Sequence, residues 1–203
     1  MQIKITSGAW LAAAGLLMVG LAGCRVHNYS EEKKVQIDTP FGGLHVNTDQ
    51  TTATDLGLPV YPGAQPVKDD NNSSADVHMG FGEWQLRVRV VNYQTPDAQK
   101  QVSDFYRKAL GRYGEVLICQ NDQPVGQPTT TSQGLTCSDD SKHLKVNVHG
   151  GKDGIEMGDL QLKAGSKRHQ HIVGFEKPKS GQTKFVLLAL DLPTDSGDKD
   201  KRD

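Results

Sequence analysis

The stretch from Thr183 to Leu192 (TKFVLLALDL) constrains the fold more than any other. Its apolar residues occupy both parities, so a strand made from it buries both faces and belongs in the middle of a sheet. Gln170 to Phe175 precedes it across Lys177-Pro178-Lys179-Ser180-Gly181, which predicts a terminal hairpin. A second strand signal lies at Trp84 to Val90. There Trp84, Leu86, Val88 and Val90 share one face, while Gln85, Arg87 and Arg89 share the other.

A helix is predicted next. Thr95 suits an N-cap, Pro96 suits the first helical position, and Asp97 complements the positive helix end. Ala98, Val102, Phe105, Tyr106, Ala109 and Tyr113 recur at helical spacing as one apolar stripe. Gly114 supplies a stop. Strands are also expected at Glu115–Cys119, Leu135–Ser138, His143–His149 and Asp159–Ala164. The expected fold is α+β: an antiparallel sheet with one long helix, about residues 96–113, packed on the apolar side of Trp84–Val90.

Ahead of that domain, Val35-Gln36-Ile37 and Leu44-His45-Val46 alternate around a Pro40-Phe41-Gly42-Gly43 turn and predict a hairpin. The expected organisation is residues 1–23 as a signal peptide, 24–34 as a lipidated tether and 35–47 as the hairpin. A linker at 48–55, the α+β domain at 56–192 and a disordered charged tail at 193–203 complete it.

The beginning of the chain carries an address. Lys4 precedes the uncharged apolar run Ala9 to Val19, and small residues follow, which is the layout of a secretory signal. The run is shorter than the roughly 20 residues that a spanning helix needs. Leu21-Ala22-Gly23-Cys24 then resembles the lipobox of bacterial lipoproteins at all four positions. The resemblance implies a diacylglycerol on the Cys24 thiol, cleavage before Cys24, and acylation of the new amino group. Several acyl chains hold a membrane far better than one. Arg25, in place of the aspartate that retains enteric lipoproteins in the inner membrane, favours the outer membrane, with the domain facing the periplasm. Further along, Tyr61-Pro62-Gly63-Ala64 and Phe105-Tyr106-Arg107-Lys108 resemble segments of uncharacterised bacterial envelope lipoproteins, a likeness that implies no activity.

The chemistry-bearing residues are sparse. Lys+Arg 23 against Asp+Glu 24 leaves a net charge of −1, which argues against nucleic acid as partner. Cys119 and Cys137 flank a Gln/Thr/Pro-rich loop and suit a structural disulfide in an oxidising compartment. No Cys-x-x-Cys, Gly-x-Ser-x-Gly or P-loop pattern is present, and no cofactor is implied. His169 and His171 share a strand face, as do His143 and His149, which offers a metal-dependent hydrolase as the alternative function. The spacing fits no standard zinc signature, so solvated histidines are expected. Arg87 and Arg89 form a short basic stripe on a sheet face expected to be open. The favoured reading is a lipid-anchored envelope protein with a binding or structural role, its partner contact at that stripe or along the edge of the Val35–Val46 hairpin.

Overall fold

The computed structural model describes residues 25–29, 34–39, 42–48, 50–67, 73–138, 159–176 and 181–193. The expected signal peptide, Cys24, the His143–His149 strand and the tail from 194 onward lie outside the described residues, as does residue 158 at the approach to the next strand. The strands are β1 (Arg25–Tyr29), β2 (Lys34–Thr39), β3 (Gly42–Thr48), β4 (Gln65–Pro66), β5 (Ser74–Phe81) and β6 (Trp84–Thr95). After helix α1 (Gln99–Leu110) come β7 (Leu117–Gln120), β8 (Gln123–Pro124), β9 (Leu160–Gly165), β10 (His169–Phe175) and β11 (Thr183–Asp191). The described strands form one antiparallel sheet in the order β1-β2-β3-β5-β6-β11-β10-β9-β7-β8, with β4 paired to the far end of β6.

This corrects the expected fold class. Among the described residues the protein is mostly antiparallel β-sheet with one short α-helix, not an α+β fold built on a long one. Residues 95–98 explain the lost length. Thr95 is still in the sheet, facing Thr183 of β11. The Thr183 hydroxyl donates to the Asp97 carbonyl at 2.7 Å, and the Tyr61 hydroxyl donates to the Asp97 carboxylate at 2.8 Å. With those groups engaged, Ala98 takes the cap position in extended conformation and its N–H donates to Gln101 Oε1 at 3.2 Å. The other end tightens into a 3-10 turn, Gly111–Tyr113.

β11 lies between β6 and β10, as its two-sided apolar pattern predicts. Phe185, Leu187 and Ala189 face α1, and Val186, Leu188 and Leu190 face away. On the α1 side, Val102, Tyr106 and Leu110 pack on β9, β10 and β11 with Leu162, Val173, Phe175, Val91 and Tyr93. Phe185 is the centre of that cluster. Tyr93 stacks on it at 5.8 Å between ring centroids, and Tyr106, Phe175 and Tyr61 ring it at 5.6, 6.3 and 6.5 Å. Burial pushes the Tyr106 hydroxyl's pKa up, and that hydroxyl donates to the Pro59 carbonyl at 3.1 Å.

The helix packs on the side opposite to the one expected. Val91 and Tyr93 of β6 meet α1, and by alternation Arg87 and Arg89 point the same way. Val88 and Val90 instead join Ile172, Leu188 and Leu190 in a second buried cluster across the sheet. Two consecutive apolar residues, Val90 and Val91, let β6 serve both clusters.

The expected hairpin exists: Val35 faces Val46 and Ile37 faces Leu44. It is not a separate unit, because β3 pairs with β5 along its length. Where a tether was expected, Arg25–Tyr29 forms β1 against β2, and the end of the expected linker overlaps a 3-10 turn, Ala53–Leu56. Leu135–Ser138 forms no strand, although Leu135 is buried beside Leu117.

Truncating Phe185 to Ala should cost about 3–5 kcal/mol, because it empties the ring position that four aromatic side chains share. Urea unfolding should show a lower midpoint at unchanged slope.

Candidate functional site

Arg87 and Arg89 lead to the densest polar cluster among the described residues. The register aligns Asp76 (β5), Arg89 (β6), Ala189 (β11) and His171 (β10) in one row. The adjacent row holds His78, Arg87, Asp191 and His169. Both rows lie on the α1 side of the sheet, beyond the end of the helix-covered core.

The charges in these rows are satisfied by one another. Arg87 grips Asp76 with two hydrogen bonds, Nε to Oδ1 at 3.0 Å and Nη2 to Oδ2 at 2.6 Å. That fork geometry suits guanidinium and carboxylate planes. Arg89 Nη2 donates to Asp191 Oδ2 at 3.1 Å, and its Nη1 donates to the Asp55 carbonyl in the Ala53–Leu56 turn. His169 Nδ1 lies 2.9 Å from Asp191 Oδ1. Burial pushes the Asp191 carboxyl up, but the His169 hydrogen bond and the Arg89 charge outweigh it and hold the pKa below its usual value. The expectation of a basic stripe on an open sheet face is therefore corrected in detail: Arg87 is half exposed but clamped, and Arg89 is tucked under a turn.

His169 and His171 do share a face, yet their surroundings differ. His169 is exposed on Asp191. His171 stacks on Tyr113 with ring centroids 3.6 Å apart and planes 13° apart. Burial lowers the His171 pKa, against an opposing hydrogen bond with the Leu56 backbone. Its Nδ1 and the Nε of Arg89 are both buried without a partner, on either side of the small Ala189. The Tyr113 hydroxyl donates to the Gly57 carbonyl at 2.6 Å, and Arg112 reaches the same carbonyl. The Ala53–Gly57 turn is thus bolted over the rows from both ends.

An imidazole oriented by a carboxylate, as in His169–Asp191, can hold or pass a proton. Nucleophilic catalysis needs in addition a hydroxyl or thiol within reach of the ring. No hydrogen bond among the described residues joins one to either imidazole. No group of three or more His, Cys, Asp or Glu among the described residues is placed to hold a metal ion. His143 and His149 lie outside those residues.

Cys119 and Cys137 are joined, Cα to Cα 5.6 Å apart, and pack with Leu117 and Leu135 in a small cluster on the face away from α1. Closing a loop of 18 residues contributes about 3 kcal/mol in the chain-entropy treatment. Lys163, fully buried, donates to the Cys137 carbonyl at 3.4 Å. Sequence reasoning passed over it. Gln161 and Lys163 alternate with Leu160, Leu162 and Ala164 as a half-exposed strand would, whereas both are buried in the folded sheet.

Two measurements check this cluster. Arg89→Glu places like charge against Asp191, so the variant should lose roughly 1–3 kcal/mol and melt lower. His171 binds a proton less readily folded than unfolded, so its stabilising neutral form holds above about pH 6.5 and is lost as pH falls through the lowered folded value. Melting temperature should therefore decline below that pH, and His171→Phe, which keeps the ring stack, should flatten the decline.

No family model, curated protein or solved structure matches this chain.

Proposed function

We propose that the chain is a lipid-anchored protein of the bacterial cell envelope, held at the outer membrane through Cys24 with its domain facing the periplasm. Its role in this reading is to bind or brace another envelope component. Leu21-Ala22-Gly23-Cys24 supports the anchor. The observation that carries the binding role is the wing formed by β1, β2, β3 and β5, which extends the sheet past the part that α1 covers. β1 ends the strand order and pairs only with β2 among the described strands. Such an edge presents backbone N–H and C=O groups that another strand can complete. The clamped charges on β5, β6 and β11, at the inner side of the wing, fit the same role, since ion pairs held in register give a surface of fixed pattern.

Metabolic labelling with a fatty acid tests the anchor. The wild-type protein should take up label and fractionate with outer membranes, whereas Cys24→Ser should lose both. Photo-crosslinkers placed in turn at positions 25–29 and at the exposed Lys100 and Arg107 of α1 test the contact. Adducts confined to the β1 positions are expected, and adducts confined to α1 would overturn the edge as the binding surface.

A further inference from the structure

The wing has two unlike faces. On the α1 side it carries polar residues, among them Gln36, His45, Asp76 and His78, which the register brings side by side. The other side is apolar in two cross-strand rows. Ile37, Leu44, Met79 and Leu86 form one, and Val35, Val46, Val77 and Val88 form the next. Most of these side chains are half-buried, Val88 is buried with the neighbouring cluster, and Val35 remains 40% exposed.

The apolar face ends in an aromatic corner. Phe81 and Trp84 face each other across the two-residue turn Gly82-Glu83, with centroids 5.9 Å apart. Gly82, at φ 59°, takes the left-handed conformation that lets so short a turn close. The Phe81 ring lies over the backbone of Gly42, where an added Cβ would collide with it. Phe81 is nonetheless 51% exposed. A large aromatic pair displayed at the rim of an apolar surface is the arrangement found where protein meets the interfacial layer of a bilayer.

The chain enters the wing at that same end. Arg25 faces Asp38, one residue short of the β2–β3 turn, and Gly80 faces Gln85, one residue short of Phe81 and Trp84. The intervening pairs, Asp38 with Gly43 and Gly43 with Gly80, keep all of them in one row. Cys24 is the residue before Arg25, so in the lipoprotein reading acyl chains attach within about 4 Å of backbone from the first strand residue. Four strand spacings, about 19 Å, separate that corner from Trp84. So short a tether keeps the β1 corner of the wing at the bilayer, and the aromatic pair at the far corner supplies a second point of contact.

We propose that the wing lies on the lipid surface, apolar face down, with the acyl chains at one corner and the Phe81–Trp84 pair at the other. The occupant of the face is then the bilayer to which the protein is already tied. Its polar face, with the Arg87–Asp76 pair, turns to the aqueous side. This inference rests on acylation at Cys24, and the test separates the two.

Trp10 and Trp84 are the two tryptophans of the sequence, so a chain beginning at Cys24 reports through Trp84 alone. The acylated protein should be reconstituted in phosphatidylethanolamine–phosphatidylglycerol vesicles with and without lipids brominated near the headgroup end of the acyl chain. Intact mass establishes acylation first. Trp84 emission is expected to fall by about half with brominated lipid, as for a side chain at the acyl boundary. Val35→Ser/Phe81→Ser, at two exposed positions, should relieve most of that quenching with acylation and melting temperature unchanged. Unquenched emission from acylated protein overturns the inference and leaves the lipoprotein reading standing. If that emission is unquenched while the protein sediments as a dimer, a second copy covers the face instead. A mass without acyl chains overturns both.

Discussion

The pairing of β11 with β6 is the constraint that the rest of the structure obeys. β11 is buried on both faces, so it can stand only where strands flank it and side chains cover it above and below. β6 supplies one flank along nine register pairs, from Arg87↔Asp191 to Thr95↔Thr183. That pairing sets Phe185 beside Tyr93 and so fixes where α1 must lie. It also delivers Asp191 to Arg89, which ties the polar rows to the same junction. The aromatic core and the charged cluster are two ends of one strand pair.

Local features of this architecture were legible and their assembly was not. Alternation shows which residues share a face, so the β2–β3 hairpin, β6, β10 and the central place of β11 could be read from residue order. It does not say which face a helix will choose. Trp84, Leu86, Val88 and Val90 look like the natural seat for α1, but Val91 and Tyr93, continuing the Arg87–Arg89 parity, provide it. The long helix was misjudged for a similar reason. Thr95, Pro96 and Asp97 carry every local start signal, yet Thr95 is held by a strand nearly ninety positions later and Asp97 by Tyr61 and Thr183. β1 gave no warning, because Arg25-Val26-His27-Asn28-Tyr29 is polar enough to pass for a tether. Only its register with β2 makes it a strand.

The same limit applies to the candidate site. Sequence puts His169 with His171, and Arg87 with Arg89, each pair on one face of its own strand, and both statements hold. That all four occupy the same face, with Asp76 and Asp191 between them, depends on strand order. A basic stripe read in isolation looks available to a partner. Once its neighbours are in place, its charge is already spoken for.

The distance along the chain between β6 and β11 has a consequence for how the molecule comes into being. Arg89 and Asp191 are separated by 102 positions. A chain emerging from its amino end has β1 to β6 available long before β11 arrives, and until then β6 exposes the edge and faces that β11 will cover. Contacts this remote slow the search for the native state. The clusters built on β11 therefore cannot consolidate on a partial chain, whatever pairing β1 to β6 make among themselves beforehand. β11, arriving late in the chain, acts as the latch that closes the sheet over both clusters.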